Sequence, residues 1–445
     1  PLALLLFLFL LSWPFPLQAS PPAPVPWQPA LPTILPAPPA VARVDYTTGQ
    51  TPGGAYYKIA MPDSWNGDLV IWNHGFSLDP PDADVDLGPL AEIQLGQGYA
   101  VAASSYRQNG WALFHTREDL EQLYDAFVEH YSAPQRVFLY GASLGGAVTA
   151  QAVEQADLGN VVAALTLCGA LAGSRNWDGA FDLRLLYDVV SAGVPGGTIP
   201  GGPEGLPADS TLTRADIAQR VNATTGILLP SALRSSRQQA NLDLLLSITG
   251  LPEAFLLADM NYATLAISDL VHDPAKLGGR LAFGNQEVVY GNPAVDAAVL
   301  RVAPDPMAAR LLRQYFRPTG AVGDVKIIAI HTDKDGLVIV ENESEYAAVV
   351  PPANLTTAVA VESTPTHCGF TPPELMAAWN SLRIWAGGAA QPTVSDLQQR
   401  CQNLIPVYPG ACRFTPDYQI PDMDARIRPR GRWELLFHPQ MWANR

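Results

Sequence analysis

The sequence predicts an α/β protein: a doubly wound, mostly parallel sheet interrupted late in the chain by a large helical insertion. Short apolar, β-rich runs alternate with helical patterns between Tyr99 and Leu167, which is how parallel strands joined by helices read. From about 174 to 319 the sheet signals stop over a stretch too long for a loop. They resume at Val325–Ile330 and return at Thr357–Val361.

Taken in order, residues 1–19 carry a run of Leu, Ala and Phe followed by Pro14, Pro16 and the small residues Ala19 and Ser20. This is expected to be a signal peptide, truncated at its start and cleaved near Ala19. A membrane anchor is the alternative, although the run is short for a span of about 20 residues. No later stretch is read as a membrane segment. Nine prolines between Pro21 and Pro39 make residues 20–40 an extended linker. The runs Tyr56–Met61 and Asp68–Trp72 flank the turn Pro62-Asp-Ser-Trp-Asn-Gly67 and read as a leading hairpin.

Next come a strand at Tyr99–Ser104, an amphipathic helix at Arg117–His130, a strand at Arg136–Tyr140, a helix at Ala147–Gln155 and a strand at Val161–Leu167. Leu-, Ala- and Asp-rich helical patterns and a Gly/Pro stretch at Gly193–Pro207 make 174–319 a helical cap. Residues 41–173 and 320–390 are then the core, closed by a helix at Pro372–Trp385. Residues 391–445 read as a proline-rich, irregular C-terminal extension wrapped on it. No repeat of 20–50 residues is visible.

Composition narrows the function classes. With 48% hydrophobic and 16% charged residues the chain is globular rather than disordered. A formal charge of −15 repels phosphate backbones, so nucleic acid is not an expected partner. Four cysteines pair in an oxidising compartment. Cys401 and Cys412 flank a proline-containing loop and are expected to bridge locally, leaving Cys168 with Cys368, both at strand ends.

The strongest chemical signal is Gly141-Ala142-Ser143-Leu144-Gly145, directly between a strand and a small-residue helix. A serine on so tight a turn needs small neighbours two positions to either side, and both are Gly here. The turn sets Ser143 at a helix N-terminus, where developing negative charge is favoured. An oxyanion hole would take the Leu144 N–H and a second amide from the loop Asn73-His74-Gly75-Phe76-Ser77, with Phe76 the donor.

A nucleophile of this kind needs an acid and then a histidine downstream. Asp335 and Asp333 compete for the first role in His331-Thr-Asp-Lys-Asp-Gly-Leu-Val338, with Asp335 preferred because the Gly-Leu-Val after it allows a turn. Asp178 is an outside alternative. His367 sits after the last strand and before the last helix, where the base belongs; His331 is too close to the acid to serve. Asp82-Ala-Asp-Val-Asp86 mimics a calcium loop but has Leu87 and Ile93 where Gly and Glu are needed. No metal and no cofactor are assigned.

Ser143 in its Gly-Ala-Ser-Leu-Gly turn, the His74-Gly75 loop, Asp335 and His367 together resemble the α/β-hydrolase superfamily, over residues 40 to 390. Trp65-Asn-Gly67 before Leu69-Val-Ile-Trp-Asn-His-Gly75, and His367-Cys-Gly-Phe-Thr371, also resemble a branch of exported, largely uncharacterised serine hydrolases and esterases. The resemblance implies an eight-stranded core with the cap between the sixth and seventh strands. With it goes the expectation of a carboxylic-ester hydrolase working through a Ser-His-Asp triad, and the signal-like first residues add secretion with no stable membrane insertion after cleavage. Trp72, Phe76, Tyr106 and Trp111 suit an apolar or aromatic ester, be it a polyester, a hydroxycinnamate or a lipid ester. An exported serine exopeptidase and a non-catalytic binding protein of the same fold are the alternatives.

Overall fold

Apolar residues on both sides of a strand mean that helices must cover both faces of the sheet. The computed structural model, which describes residues 43–315 and 317–430, has that architecture. The signal segment at 1–19, the linker at 20–40 and residues 431–445 lie outside the described residues. Eight strands form one sheet: β1 (Val44–Gln50), β2 (Tyr56–Pro62), β3 (Asp68–Asn73), β4 (Ala100–Ser104), β5 (Arg136–Ala142), β6 (Val161–Leu167), β7 (Lys326–Thr332) and β8 (Leu355–Ala360). Their order is β1-β2-β4-β3-β5-β6-β7-β8. The pairs from β4 through β3 to β8 are parallel, whereas β1 and β2 run antiparallel to their neighbours.

All six residues of β3 are buried, and the two faces feed two apolar layers. Leu69 and Ile71 pack with Leu123, Phe127 and Val148, from the helices Thr116–His130 and Leu144–Gln155. Val70 and Trp72 turn the other way, toward Phe138, Tyr140 and the Trp379 and Leu382 side chains of the helix Pro372–Ala386.

The hairpin is a correction. Tyr56–Pro62 pairs with Val44–Gln50 and with β4, not with Asp68–Asn73, which lies between β4 and β5. Val44–Gln50 is a half-exposed edge strand of sequence VDYTTGQ, and it carries too little apolar alternation to be read in advance. The extension holds a second departure. It is not irregular throughout, for Val394–Leu404 is helical, capped by Thr393 and Asp396 reciprocally. Its Thr-x-x-Asp start was legible, but the surrounding prolines masked it.

Between β6 and β7 the chain is helical, beginning with Asn176–Ser191 and ending with Pro306–Gln314. Its Phe181, Leu185, Leu245 and Met260 belong to the same apolar cluster as Leu69 and Leu139 of the sheet, so the insertion packs continuously onto the core. One run in it, Glu253–His272, is long and apolar enough to cross a membrane by length and composition alone, as the core helix of a soluble protein also can be. Half of that window is buried inside the protein.

Both expected disulfides are present, Cys168–Cys368 and Cys401–Cys412, with Cα atoms 5.3 and 5.7 Å apart. The first closes a separation of 200 residues and the second only 11. Loop-closure entropy grows with the logarithm of that length, so losing the first bridge should destabilise by about 2–3 kcal/mol more than losing the second. Denaturant melts of the two Cys→Ser double variants measure the difference; equal losses would contradict the entropic account.

Candidate active site

Each residue singled out for chemistry follows the carboxyl end of a strand, the edge where open α/β sheets gather their sites. Phe76 follows β3, Ser143 and Leu144 follow β5, Asp335 follows β7 and His367 follows β8. The sheet order brings these loops together from positions as far as 291 residues apart in the chain, Phe76 to His367.

Ser143 has φ 58° and ψ −122°, left-handed backbone that a residue with a side chain adopts only under constraint. The glycines around it leave no room for anything else. A Cβ on Gly145 would stand 2.0 Å from the Asn73 carbonyl oxygen, one on Gly141 2.1 Å from the Gly145 oxygen, and one on Gly146 2.4 Å from Gly169 Cα. Ser143 N–H donates to Leu167 O at 2.9 Å, and its own carbonyl accepts from Gly146 and Ala170. Unlike the capping boxes at Thr213, Ser235 and Thr393, Ser143 lends no side-chain cap to the helix it opens. Its hydroxyl is therefore not spent on the helix, and the first N–H groups of the helix, Leu144's among them, lack an intrahelical acceptor.

The Asn73–Phe76 loop is held from below and behind. Asn73 Nδ2 donates to Thr149 Oγ1 at 2.9 Å, and the His74 ring stacks on Tyr106 at 4.1 Å while the Tyr106 hydroxyl donates to His74 O at 3.2 Å. His74 thus shapes this loop. Trp72 packs on Tyr140, rings 4.6 Å apart, whereas Phe76 and Trp111 line one pocket with Ser143 and Leu144.

His367 Nδ1 donates to Asp335 Oδ2 at 2.6 Å, both groups being buried. The other carboxylate oxygen accepts from the Leu337 and Val338 amides at 2.9 and 3.1 Å, which fixes the acid's rotamer. Asp333 does something else: its Oδ1 accepts from Glu362 N at 2.7 Å. Asp178 faces Arg430, 3.3 Å away. No hydrogen bond joins His367 to Ser143 among the described residues. They are tied instead through the Ser143–Leu167 backbone bond and the Cys168–Cys368 bridge, whose cysteines directly follow Leu167 and His367.

Sequence reading missed the layer beneath the acid. His331 Nε2 donates to Val338 O at 2.7 Å, and its Nδ1 lies 2.9 Å from Glu343 Oε1. A carbonyl only accepts, so Nε2 carries a proton, and the Nδ1–Glu343 bond holds a further proton between the two. This pair clamps the turn whose amides grip Asp335. Burial pulls the His331 pKa down, but the Glu343 hydrogen bond and charge, with Asp335 and the Val338 carbonyl, outweigh it and leave it above the ordinary 6.5.

Among the described residues two groups of side chains approach closely enough to suggest metal ligands, and neither donor set fits. Cys168 and Cys368, near Asp335 and His367, are bonded to each other and supply no thiolate. Glu345 and Asp424, near Asp422, are engaged by Arg175, with Arg317 also on Glu345. The acidic loop 82–86 turns its side chains to local partners: Asp82 accepts from Asp84 N, Asp86 from Gly88 N, and Asp84 pairs with Lys58.

The parallel core with antiparallel leading strands, the elbow after β5 and the insertion after β6 decide the architecture. The fold is that of the α/β-hydrolases. No family model matches the chain. A stretch of 111 residues is 34% identical to an o-phthalyl amidase of Xanthobacter agilis, covering 24% of this chain and 23% of that protein's length. Among solved structures, an esterase of Pyrococcus furiosus covers 85% of this chain and 99% of its own at 12% identity and TM-score 0.34. The closed state of Candida antarctica lipase A covers 90% and 92% at 13% and 0.36. An esterase from Rhodococcus sp. ECU1013 covers 77% and 98% at 16% and 0.35. Likenesses this distant leave the fold to be read from the chain's own strand order.

Two outcomes follow. Gly145→Ala should destabilise by about 3 kcal/mol, because backbone rather than a flexible side chain must yield, and a thermal melt unchanged from wild type would refute the close approach. Glu343→Gln should cost about 3 kcal/mol at acidic pH by breaking a buried pair. A folded pKa raised above 6.5 means that this contribution is complete below about 6.5 and fades as pH climbs through the raised value. The deficit of the variant, followed by urea melts from about pH 5 to about pH 9, should therefore narrow; a widening gap would reverse the sign.

Proposed function

We propose that this chain is a secreted serine hydrolase of carboxylic esters that works through an acyl-enzyme. The observation that carries the reading is the buried 2.6 Å His367–Asp335 hydrogen bond at the same sheet edge as a serine held left-handed at a helix N-terminus. In this reading His367 Nε2 takes the proton of Ser143 Oγ as the oxygen bonds to the substrate carbonyl carbon. The Leu144 and Phe76 amides receive the oxyanion. The oxyanion then collapses to a carbonyl, the bond from the acyl carbon to the alkoxy oxygen breaks, and His367 gives its proton to the leaving alcohol. Water, deprotonated by His367, repeats the sequence on the acyl-enzyme and frees the acid. Asp335 holds the Nδ1–H tautomer throughout.

The aromatic walls beside Ser143, Phe76, Trp111, Trp177 and Tyr262, support an apolar or aromatic acyl group. Two disulfides and the apolar first residues support an extracytoplasmic location. A second reading, amide hydrolysis, has one observation in its favour: the stretch shared with a protein named as an o-phthalyl amidase. The same residues would serve, with His367 protonating a poorer leaving group.

p-Nitrophenyl esters of graded acyl length, run beside acyl p-nitroanilides, separate the two. Ester turnover should fall by about 10⁶ in Ser143→Ala and by about 10⁴ in Asp335→Asn, with folding retained. Anilide cleavage that exceeds ester cleavage would replace esterase with amidase, and turnover that survives Ser143→Ala would remove the assignment.

A further inference from the structure

The pocket that contains Ser143 is walled mainly by aromatic and aliphatic side chains, yet Asp259 also lines it, as do Asp182, Arg426 and Arg428. Among the described residues Asp259 accepts no hydrogen bond and forms no ion pair, and its Oδ2 is buried. Asp259 as a whole is half-buried, but a buried carboxylate oxygen is ordinarily paired, and an exception calls for a reason. The nearest charges do not supply one. Arg426, which also lines the pocket, donates from Nε to Thr249 O at 3.0 Å and lies 3.7 Å from Glu341 through Nη1, and its Nη2, buried like Asp259 Oδ2, makes no hydrogen bond among the described residues either, so the two groups are not joined. Asp335, the other charged group in range, is held by His367.

The chain presents Asp259 to the pocket by an unusual device. The helix Leu256–Asn261 runs straight into a π-helical turn, Tyr262–Ala266, a feature that recurs at functional sites. Asp259 and Tyr262, three apart, both line the pocket, and the Tyr262 ring lies 5.0 Å from that of Phe76. Burial pushes the Asp259 carboxyl well above its usual range, with Arg426 opposing and Asp335 adding to the rise. In its protonated form a carboxyl offers one donor and one acceptor.

We infer that Asp259 is a recognition group for an uncharged hydrogen-bonding substituent, a hydroxyl or a carboxamide, carried on the acyl part of the substrate. The inference deepens the reading of Ser143 as nucleophile and rests on it for the word acyl. Phe76 and Leu144 also border a second cavity lined by the exposed Asp82 and Asp84. That acidic, solvent-facing side suits departure of the alcohol and leaves the capped pocket for the acyl group. A site with a fixed, unpaired polar group discriminates strongly, because a substrate without the partner leaves that group unpaired.

The test compares p-nitrophenyl esters of 3- and 4-hydroxyphenylacetate and of ω-hydroxyalkanoates with their methyl-for-hydroxyl counterparts. At least one hydroxylated member should exceed its counterpart in kcat/KM by about tenfold or more on the wild type, and Asp259→Leu should abolish the preference. Asp259→Asn, nearly the same shape, should retain part of it. Since Asp259 makes no hydrogen bond or ion pair among the described residues, neither variant should lower the melting temperature. No hydroxyl preference in any pair, a preference that survives Asp259→Leu, a preference for ammonium- or carboxylate-bearing acyl groups, or a sharply lower melting temperature would each overturn the proposal. Calorimetric binding of 4-hydroxyphenylacetamide and 4-methylphenylacetamide to Ser143→Ala gives a readout free of catalysis. Discrimination there without turnover of any wild-type substrate would sink the hydrolase and keep the site; turnover without discrimination would do the reverse.

Discussion

Everything at the functional edge depends on how closely three backbone segments approach one another at the end of β5. Gly145 lies against the Asn73 carbonyl, Gly146 against Gly169, and Gly141 against the Gly145 carbonyl. These contacts exist because β3, β5 and β6 are adjacent parallel strands, each of whose loops must turn over the same edge within a strand spacing of about 4.8 Å. A helix can start there only if its first turn is bare of side chains on the sheet side. The serine between those glycines is then forced out of the turn, with helix amides behind it. Its position is a consequence of sheet spacing more than of its own contacts.

The strain of that arrangement is shared. Among the described residues four non-glycine residues have left-handed backbone: Tyr106, Ser143, Cys168 and Cys368. Tyr106 follows β4, Ser143 β5, Cys168 β6, and Cys368 the loop beyond β8, so every one of them lies at the carboxyl edge. Such conformations persist only where surrounding contacts over-determine them, and here the contacts are visible. The Tyr106 hydroxyl is anchored on the His74 carbonyl, Ser143 N–H on Leu167, and Cys168 and Cys368 on each other. The bridge converts two strained turns into one rigid unit that carries His367.

Much of this was legible because a local requirement betrays itself in residue type. Tight turns demand glycine and buried parallel strands demand unbroken apolar runs, and Ser143, Asp335 and His367 each read as following a strand; those strands are β5, β7 and β8. Asp335 is preferred to Asp333 because Gly-Leu-Val allows a turn after it; His367 contacts Asp335 at 2.6 Å, and that turn also supplies the two amides that Asp335 accepts from. What escaped was of another kind. His331 looked redundant, since its partners Glu343 and the Val338 carbonyl meet it only after the chain has turned back on itself. The strand Val44–Gln50 is an edge, so its side chains need no apolar pattern. Asp259 sits in a helix whose composition says only that it is buried.

The extension after the last helix carries the argument one step further, because its arginines are placed where the acidic chain needs them. Arg413 donates to Gly369 O in the loop that bears His367 and to both oxygens of Glu374. Arg426 and Arg428 reach the carbonyls of Thr249 and Ile248 in the insertion, and Arg430 meets Asp178 and Asp182 at 3.3 and 3.0 Å. One segment thus spans from the histidine loop to the helices over the pocket, and Arg426, Ile427 and Arg428 help to line it. Largely buried charges of this kind contribute little net stability when paired and cost several kcal/mol, about 3–5, when a partner is removed. Their effect is to fix geometry. The insertion is held over Ser143 by cations arriving from the far end of the chain, and the pocket is therefore a joint product of core, insertion and extension.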